Sequence, residues 1–262
     1  MIPTTVSKQV MALFSYTPLS YMLRAMVYGS APASVYADNE AEPNVCLIWE
    51  GHSLFVGGDA SHPAADRAVC FFMDVLLTPE RKKQLGVLKI IYPNNAWRDK
   101  LSHAFGGNRV NEYMRSVYSH PDPGLAAKLA DTDVQLITAK MRERNNFSMI
   151  QEEVESTLGS VEKFFAMGFG YALVLDNQVC GFCTAEYISE TECAIGIAVD
   201  TAYRRQGHAA HMTACFLGEC RRRGLTPYWE CWKNNIPSAK TAEGAGFKKL
   251  ADYPVLLVEF MT

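Results

Sequence analysis

The chain has 262 residues, a formal net charge of −3, 48% hydrophobic residues and 20% charged residues. That length holds one large domain or two small ones, and the apolar content is ample for a packed core, which excludes wholesale disorder. The slight negative charge argues against a nucleic-acid binder, whose contact face is normally basic.

No apolar run reaches the roughly 18 residues of a membrane-spanning helix, so no membrane partner is expected. Near the N-terminus, residues 10–16 are apolar, and Ser34-Val35-Tyr36-Ala37 has the small-residue character of a cleavage site. Pro18 and Arg24 interrupt the stretch and its apolar part is short, so it reads as a short helix packed on the core. A cytoplasmic protein is expected. The eight cysteines, Cys46, Cys70, Cys180, Cys183, Cys193, Cys215, Cys220 and Cys231, then read as reduced core residues. Cys180 and Cys183 form a CxxC, but inside a strand-like run, where positions three apart face opposite ways. With no second CxxC to complete a ligand set, no metal site is expected.

In chain order, residues 45–50 and 53–56 read as paired strands around Gly51-His52. A helical pattern follows over 62–85, broken at Thr78-Pro79, then a strand at 87–92, a helix at 96–105 and a strand near 109–118. Asp122-Pro123-Gly124 and the polar stretch after it mark a boundary between domains 1–125 and 126–262. The second half opens with a strand at 134–138 and helices at 147–158 and 160–167. Strands at 171–176, 179–188 and 192–199 come next. The helix 209–223, strand 227–231, helix 237–245 and strand 253–260 close the chain. The triplet Arg221-Arg222-Arg223 sits at a helix C-terminus, where it complements the dipole.

The most informative stretch is Tyr203-Arg204-Arg205-Gln206-Gly207-His208-Ala209. It joins a strand to a helix through a glycine. A helix start offers unpaired N–H groups and positive potential, which together favour an anion such as phosphate. Gly207 lets the main chain approach without a Cβ, and Arg204 and Arg205 add charge. A nucleotide kinase is a third, disfavoured reading, because Gly-x-x-x-x-Gly-Lys-Ser/Thr is absent and this loop lacks the lysine that phosphoryl transfer would need.

The spacing Arg-x-x-Gly-x-Ala, and the lead-in Val199-Asp200-Thr201-Ala202-Tyr203-Arg204, closely resemble the pyrophosphate loop of the GNAT superfamily of N-acetyltransferases. A second resemblance lies at Asn235-Ile236-Pro237-Ser238 and Glu243-Gly244-Ala245-Gly246-Phe247, although Asn235, Pro237 and Gly246 also serve as ordinary helix punctuation. The element order β-α-α-β-β-β-α-β-α-β over residues 134–260 is the superfamily's order. The tandem layout and Pro227-Tyr228-Trp229-Glu230-Cys231 resemble the two-half bacterial GNAT acetyltransferase family. The resemblance implies an α/β (α+β) protein, with a GNAT fold of mixed sheet flanked by helices in the C-terminal half. The first half is expected to be a degenerate GNAT-like copy, since 62–68 holds no glycine for an anion turn.

What the resemblance implies for function is transfer of an acetyl group from acetyl-CoA to a primary amine of a small molecule or peptide. Ile197, Ala198 and Val199 would run beside the pantetheine arm. Arg204, Arg205, Gln206, Gly207, His208, Ala209 and Ala210 would hold the pyrophosphate, and Asn235 and Ser238 would meet the pantetheine. Glu192 is the first choice for general base, with Glu186 and Glu230 behind it. The superfamily's usual glutamate falls at Cys193, one residue away, a shift that a bulge could correct. Its usual tyrosine acid falls at Ala242, so Tyr203, Tyr228 or unassisted thiolate departure remain open. These two departures support a second reading, a non-catalytic acyl-CoA sensor or interaction module. The acceptor and the oligomeric state, a homodimer among the options, are left open.

Overall fold

The computed structural model describes residues 1–120, 122 and 133–261. The expected boundary at residues 125/126 lies outside the described residues. The chain divides into two compact units that are not contiguous in sequence. Unit 1 is Met1–Leu23, Ala33–Arg115 and Asp252–Thr262; unit 2 is Arg24–Pro32 and Ser116–Ala251.

Unit 1 begins with β1 (Ile2–Thr4), α1 (Lys8–Ala12) and the start of α2 (Ser20–Tyr28), whose later residues belong to unit 2. It continues through β2 (Ser34–Ala37), β3 (Val45–Trp49), β4 (Ser53–Gly58), α3 (Pro63–Phe71), α4 (Pro79–Leu85), β5 (Val87–Ile91) and α5 (Asn95–Ala104). Residues 34–37, which resemble a cleavage site in sequence, form a strand paired antiparallel to β1 and β3. A π-helical turn, Phe72–Leu76, lies between α3 and α4. The β4–β5 pairing is parallel and short, ending at Phe55↔Ile91; β1–β2, β2–β3, β3–β4 and Val255–Glu259 with β5 pair antiparallel. The core gathers Leu47, Val56, Phe72, Leu88, Trp97 and Leu101 among others.

Unit 2 takes the C-terminal end of β6 (Arg109–Ser119), then β7 (Val134–Leu136), α6 (Ser148–Leu158), α7 (Val161–Met167), β8 (Gly170–Leu175), β9 (Gln178–Glu186) and β10 (Glu192–Val199). The helix α8 (His208–Arg223), β11 (Thr226–Trp232), α9 (Ile236–Gly244) and the start of β12 (Lys248–Glu259) complete it. Neighbouring strands run in the order β7-β8-β9-β10-β11. All are antiparallel except β10–β11, which is parallel over Glu192–Ala194 and Thr226–Tyr228 only. Alternation along β10 decides what each face carries. Cys193 and Ile195 enter the core with Met212, Phe216 and Cys220 of α8, and Cys193 Sγ lies 3.7 Å from Cys220 Sγ. Glu192, Ala194 and Gly196 take the opposite face.

Both units thus contain a short parallel strand pair that stops after three residues, joined by a helical crossover. In unit 1 the edge of β4 beyond that pairing is filled from within. Tyr16 Oη donates to Val56 O at 2.7 Å and to Ile91 O at 3.4 Å, and Trp97 Nε1 donates to Gly58 O at 2.7 Å. Helix α3 is closed off as well: Pro63 has no N–H to offer, and His62 Nδ1 accepts from Ala64 N at 3.2 Å. Burial pushes the Tyr16 phenol well up, so it stays a donor. Tyr16→Phe leaves the Val56 carbonyl without its partner, and urea unfolding should show a loss of about 1–3 kcal/mol; a change under ~0.5 kcal/mol would show that water replaces the hydroxyl.

Candidate functional site

In unit 2 the same edge is left open. Pairing between β10 and β11 stops at Ala194↔Tyr228, while β10 runs on to Val199 and β11 to Trp232. From Ala194 to Val199 the strand spans roughly 17 Å. Thr226 N bonds to Thr191 O at 2.8 Å on the β11 side, and Asp200 N bonds to Cys180 O at 2.8 Å on the β9 side. Alternation therefore turns the main-chain groups of Ile197 and Val199 into the gap. Among the described residues no side chain bonds to the main chain of Ile197. The Val199 carbonyl accepts from Arg204 Nε at 2.8 Å. Ala198, being of the opposite parity, turns its main chain to Phe182 of β9 instead.

Because β10 and β11 are parallel, their C-terminal ends share the mouth of this gap, and each leads into a helix. After β10, a single turn Thr201–Tyr203 is capped by Asp200, whose Oδ1 accepts from Ala202 N at 3.0 Å. Arg205 has φ +64° and Gly207 φ +85°. Two left-handed residues in three fold the loop into the concave form in which successive N–H groups converge. A non-glycine residue in that region costs roughly 1–2 kcal/mol, so Arg205 is held there by its surroundings. Gly207 is the N-cap of α8 and supplies no side-chain acceptor, and a Cβ built on it would meet nothing within 4 Å. Arg204, Arg205, Gln206, Gly207 and Ala210 are exposed, and His208 and Ala209 are half-buried. The first N–H groups of a 16-residue helix therefore face outward, with no acidic side chain in the first turn.

After β11, Asn235 caps α9 through Oδ1, which accepts from Ser238 N at 3.2 Å, with Pro237 in the first turn. The Ser238 hydroxyl accepts from Trp229 Nε1 at 3.0 Å, so it anchors an indole within the unit 2 core. Ala242, at the position of the superfamily's tyrosine, is buried.

The closed end of the gap holds Glu192 and Tyr228. Tyr228 Oη donates to Glu192 Oε1 at 3.0 Å, and Arg24 grips the same carboxylate through Nη2 at 2.7 Å and through Nε. Glu192 Oε2 takes the Nε bond, so both oxygens accept donors, and the side chain is only 11% exposed. Burial raises the Tyr228 pKa, and the Glu192 charge raises it further; the phenol therefore keeps its proton. The Arg24 pKa is raised by its bond to Glu192. No bulge shifts Glu192 toward the Cys193 position, since β10 pairs with β9 in unbroken register from Ala194↔Glu186 to Val199↔Gly181. Tyr203 lies instead at the mouth, where a hydrogen bond with Cys180 raises its pKa. Glu186, Glu192 and Glu230 all stand on the sheet face opposite α8, by the pairings Ala194↔Glu186 and Ala194↔Tyr228 and the two-residue repeat.

Arg24 was invisible to sequence reasoning: it lies 168 residues from Glu192. Gly196 did carry a signal, since glycine inside a strand often marks a close approach. Among the described residues no group of three or more His, Cys, Asp or Glu could hold a metal ion, and no helix is long and apolar enough to cross a membrane.

The open parallel pair, the left-handed glycine and the uncapped helix start belong to a mixed α/β fold that solved structures share. A GCN5-related N-acetyltransferase-like protein from Streptococcus suis 89/1591 superposes with a TM-score of 0.71 at 20% identity, over 96% of this chain and 97% of that one. A tandem GNAT protein from the clavulanic acid biosynthesis pathway gives 0.54 at 10% identity, over 100% and 98%. In sequence, the chain is 23% identical to the uncharacterized N-acetyltransferase YdfB of Bacillus subtilis (strain 168), over 86% of this chain and 85% of that protein. The family model described as GNAT acetyltransferase matches residues 11–256. The chain belongs to the GNAT acetyltransferase family.

Removing one partner of the Arg24–Glu192 pair strands a charge that is nearly buried on the glutamate side. Arg24→Met should therefore destabilise the protein by about 1–3 kcal/mol, and adding Glu192→Gln should restore part of that loss. A double-mutant cycle by urea unfolding checks it; strictly additive effects would mean the two side chains do not couple.

Proposed function

We propose that this protein is an N-acetyltransferase that moves an acetyl group from acetyl-CoA to a primary amine of a small molecule or peptide. The observation that carries the reading is the parting of β10 from β11 beyond Ala194↔Tyr228, with an uncapped α8 at its mouth and a tyrosine–carboxylate pair at its closed end. An extended amide-bearing arm fits a gap of roughly 17 Å, pairing with Ile197 and Val199 as an added strand would. Val199 O would first have to be released by Arg204, whose guanidinium would then be free for phosphate. The diphosphate would sit against the N–H groups of residues 205–210, and Asn235 would border the arm from the α9 side. Several helix-end interactions of roughly 0.3–1 kcal/mol each suit a micromolar ligand of about −8 kcal/mol.

Transfer needs a neutral amine, because an ammonium has no lone pair for the thioester carbon. Glu192 is the proposed base. Its oxygens already hold donors, so it takes the proton through Tyr228: the amine proton passes to the Tyr228 oxygen as the phenolic proton moves to Glu192. Nitrogen then attacks the carbonyl carbon, the carbon–sulfur bond breaks, the sulfur leaves with the electron pair, and the attacking nitrogen gives its second proton to solvent as the amide forms. Reversing the relay, Tyr228 protonates that thiolate and recovers its own proton from Glu192. The Ile197 N–H is the first donor beyond the strand pairing and would steady the oxyanion between these steps.

Incubation with acetyl-CoA and a panel of primary amines, followed by free-thiol release, tests the transfer. Amine-dependent release is expected; tight acetyl-CoA binding without release on any amine would favour the sensor reading. Gly207→Asp places a carboxylate where the diphosphate would lie. It should weaken acetyl-CoA binding by at least about tenfold, the equivalent of ~1.4 kcal/mol, and unchanged affinity would remove the loop from the proposal. Tyr228→Phe should lower kcat by roughly 10²-fold, more than it raises KM for acetyl-CoA. Since its pKa is raised, the native enzyme should show no activity loss from Tyr228 ionisation near pH ~10. An unaltered kcat in Tyr228→Phe would exclude the relay.

A further inference from the structure

The two arginines ahead of α8 are neighbours in sequence and are bound differently. Both are exposed. The Arg205 guanidinium has no hydrogen-bond partner among the described residues. Arg204 Nε donates to Val199 O at 2.8 Å, five residues back. That partner is a neutral carbonyl, and among the described residues neither arginine has an ion pair. Asp200, the nearest acid in sequence, turns Oδ1 to Ala202 N and Thr201 Oγ1 instead. Two uncompensated charges therefore stand at the positive end of a 16-residue helix with no acid in its first turn. The main chain between strand and helix is held separately, by Tyr203 N on Asp200 O at 2.9 Å and Gln206 Nε2 on Ala202 O at 3.4 Å. The Arg204–Val199 bond can thus open by rotation of the arginine side chain alone.

The carbonyl that Arg204 holds is the last acceptor of β10 on its open edge. Asp200 N already bonds to Cys180 O of β9, so by alternation the Val199 carbonyl faces the gap. An arm that adds there as a strand needs this oxygen for one of its amide N–H groups, and a guanidinium seated on it occupies the same line of approach. Phosphate oxygens are stronger partners for a guanidinium than a neutral carbonyl, because their bonds to it are charge-assisted and bidentate. A diphosphate at residues 205–210 therefore draws Arg204 off Val199. A ligand with the arm but no phosphate has to displace the same side chain and offers it nothing in return.

We propose that Arg204 is a latch that makes the donor site selective: its guanidinium closes the β10 edge at Val199 until a diphosphate takes it, so a pantetheine arm is admitted together with a diphosphate. The proposal rests on the acetyl-CoA reading for its ligand and adds a coupling between the arm and diphosphate subsites. Calorimetric titration of the full chain with pantetheine, alone and in saturating inorganic pyrophosphate, measures that coupling. Pyrophosphate should tighten pantetheine binding by at least about fivefold, and pantetheine should tighten pyrophosphate binding by the same factor. Arg204→Met keeps the apolar stem and loses the donors. It should bind pantetheine alone more tightly than the native protein by a similar factor, and pyrophosphate should then have no effect on pantetheine. Arg205→Met should weaken pyrophosphate binding while its effect on pantetheine persists. Circular dichroism checks that both variants fold. The latch is overturned if pyrophosphate has no effect on pantetheine in the native protein, or if Arg204→Met keeps the native pantetheine affinity or the pyrophosphate effect; CoA binding by the native protein would still stand. A native protein that binds neither CoA nor pyrophosphate overturns the acetyl-CoA reading and the latch together. Coupling through Arg204 with no thiol release on any amine keeps the latch and removes the transfer.

Discussion

The parting of β10 from β11 after three parallel pairs is the constraint on which the rest of the site depends. Main-chain N–H and C=O groups inside a sheet are normally all satisfied, and an open edge within a unit is costly unless something pairs with it. Unit 1 meets the cost with its own side chains, Tyr16 on Val56 and Trp97 on Gly58, and with a histidine cap and a proline at the start of α3. Unit 2 meets it at one point only, where Arg204 holds the Val199 carbonyl. The corresponding helix start carries a left-handed glycine and no side-chain cap. Two halves built on one plan have thus resolved the same edge in opposite ways, one filled by side chains and one left open.

Much of unit 2 was legible in the sequence because its signals are local. The strand-to-helix turn was marked by Gly207, which takes φ +85°. The start of α9 was marked by Asn235 and Pro237, which occupy the cap and the first turn. Hydrophobic alternation found β8 to β11 within a residue or two. The short strands β1 and β2 escaped, since three or four residues give no period to count, and the small residues of 34–37 suit a cleavage site as well as a strand. The membership of the two units escaped for a different reason. That Arg24–Pro32 joins unit 2 and Asp252–Thr262 joins unit 1 is a tertiary fact that no local pattern encodes.

The site divided in the same manner. The place of Glu192 on its strand was legible, yet what surrounds it, Arg24 from α2 and Tyr228 from β11, came from sequence separations of 168 and 36 residues. Strand parity explains why Cys193 is no substitute for the superfamily's glutamate. Cys193 belongs to the α8 face, and burial holds its thiol pKa well up, whereas Glu192 belongs to the face on which the other carboxylates stand.

That face explains how one region can hold several acids without mutual cancellation. A chain with a net charge of only −3 gathers Glu153, Glu186, Glu192 and Glu230 on one side of a single sheet. Arg24 neutralises Glu192, and that pairing fixes the carboxylate beside Tyr228. The carboxylates over Gly196 lie farther along β10, where only the absence of a side chain admits them. A Cβ at 196 would lie 1.7 Å from Glu186 Oε1 and 2.8 Å from Glu153 Oε1, so any larger residue there would displace the Glu186 carboxylate.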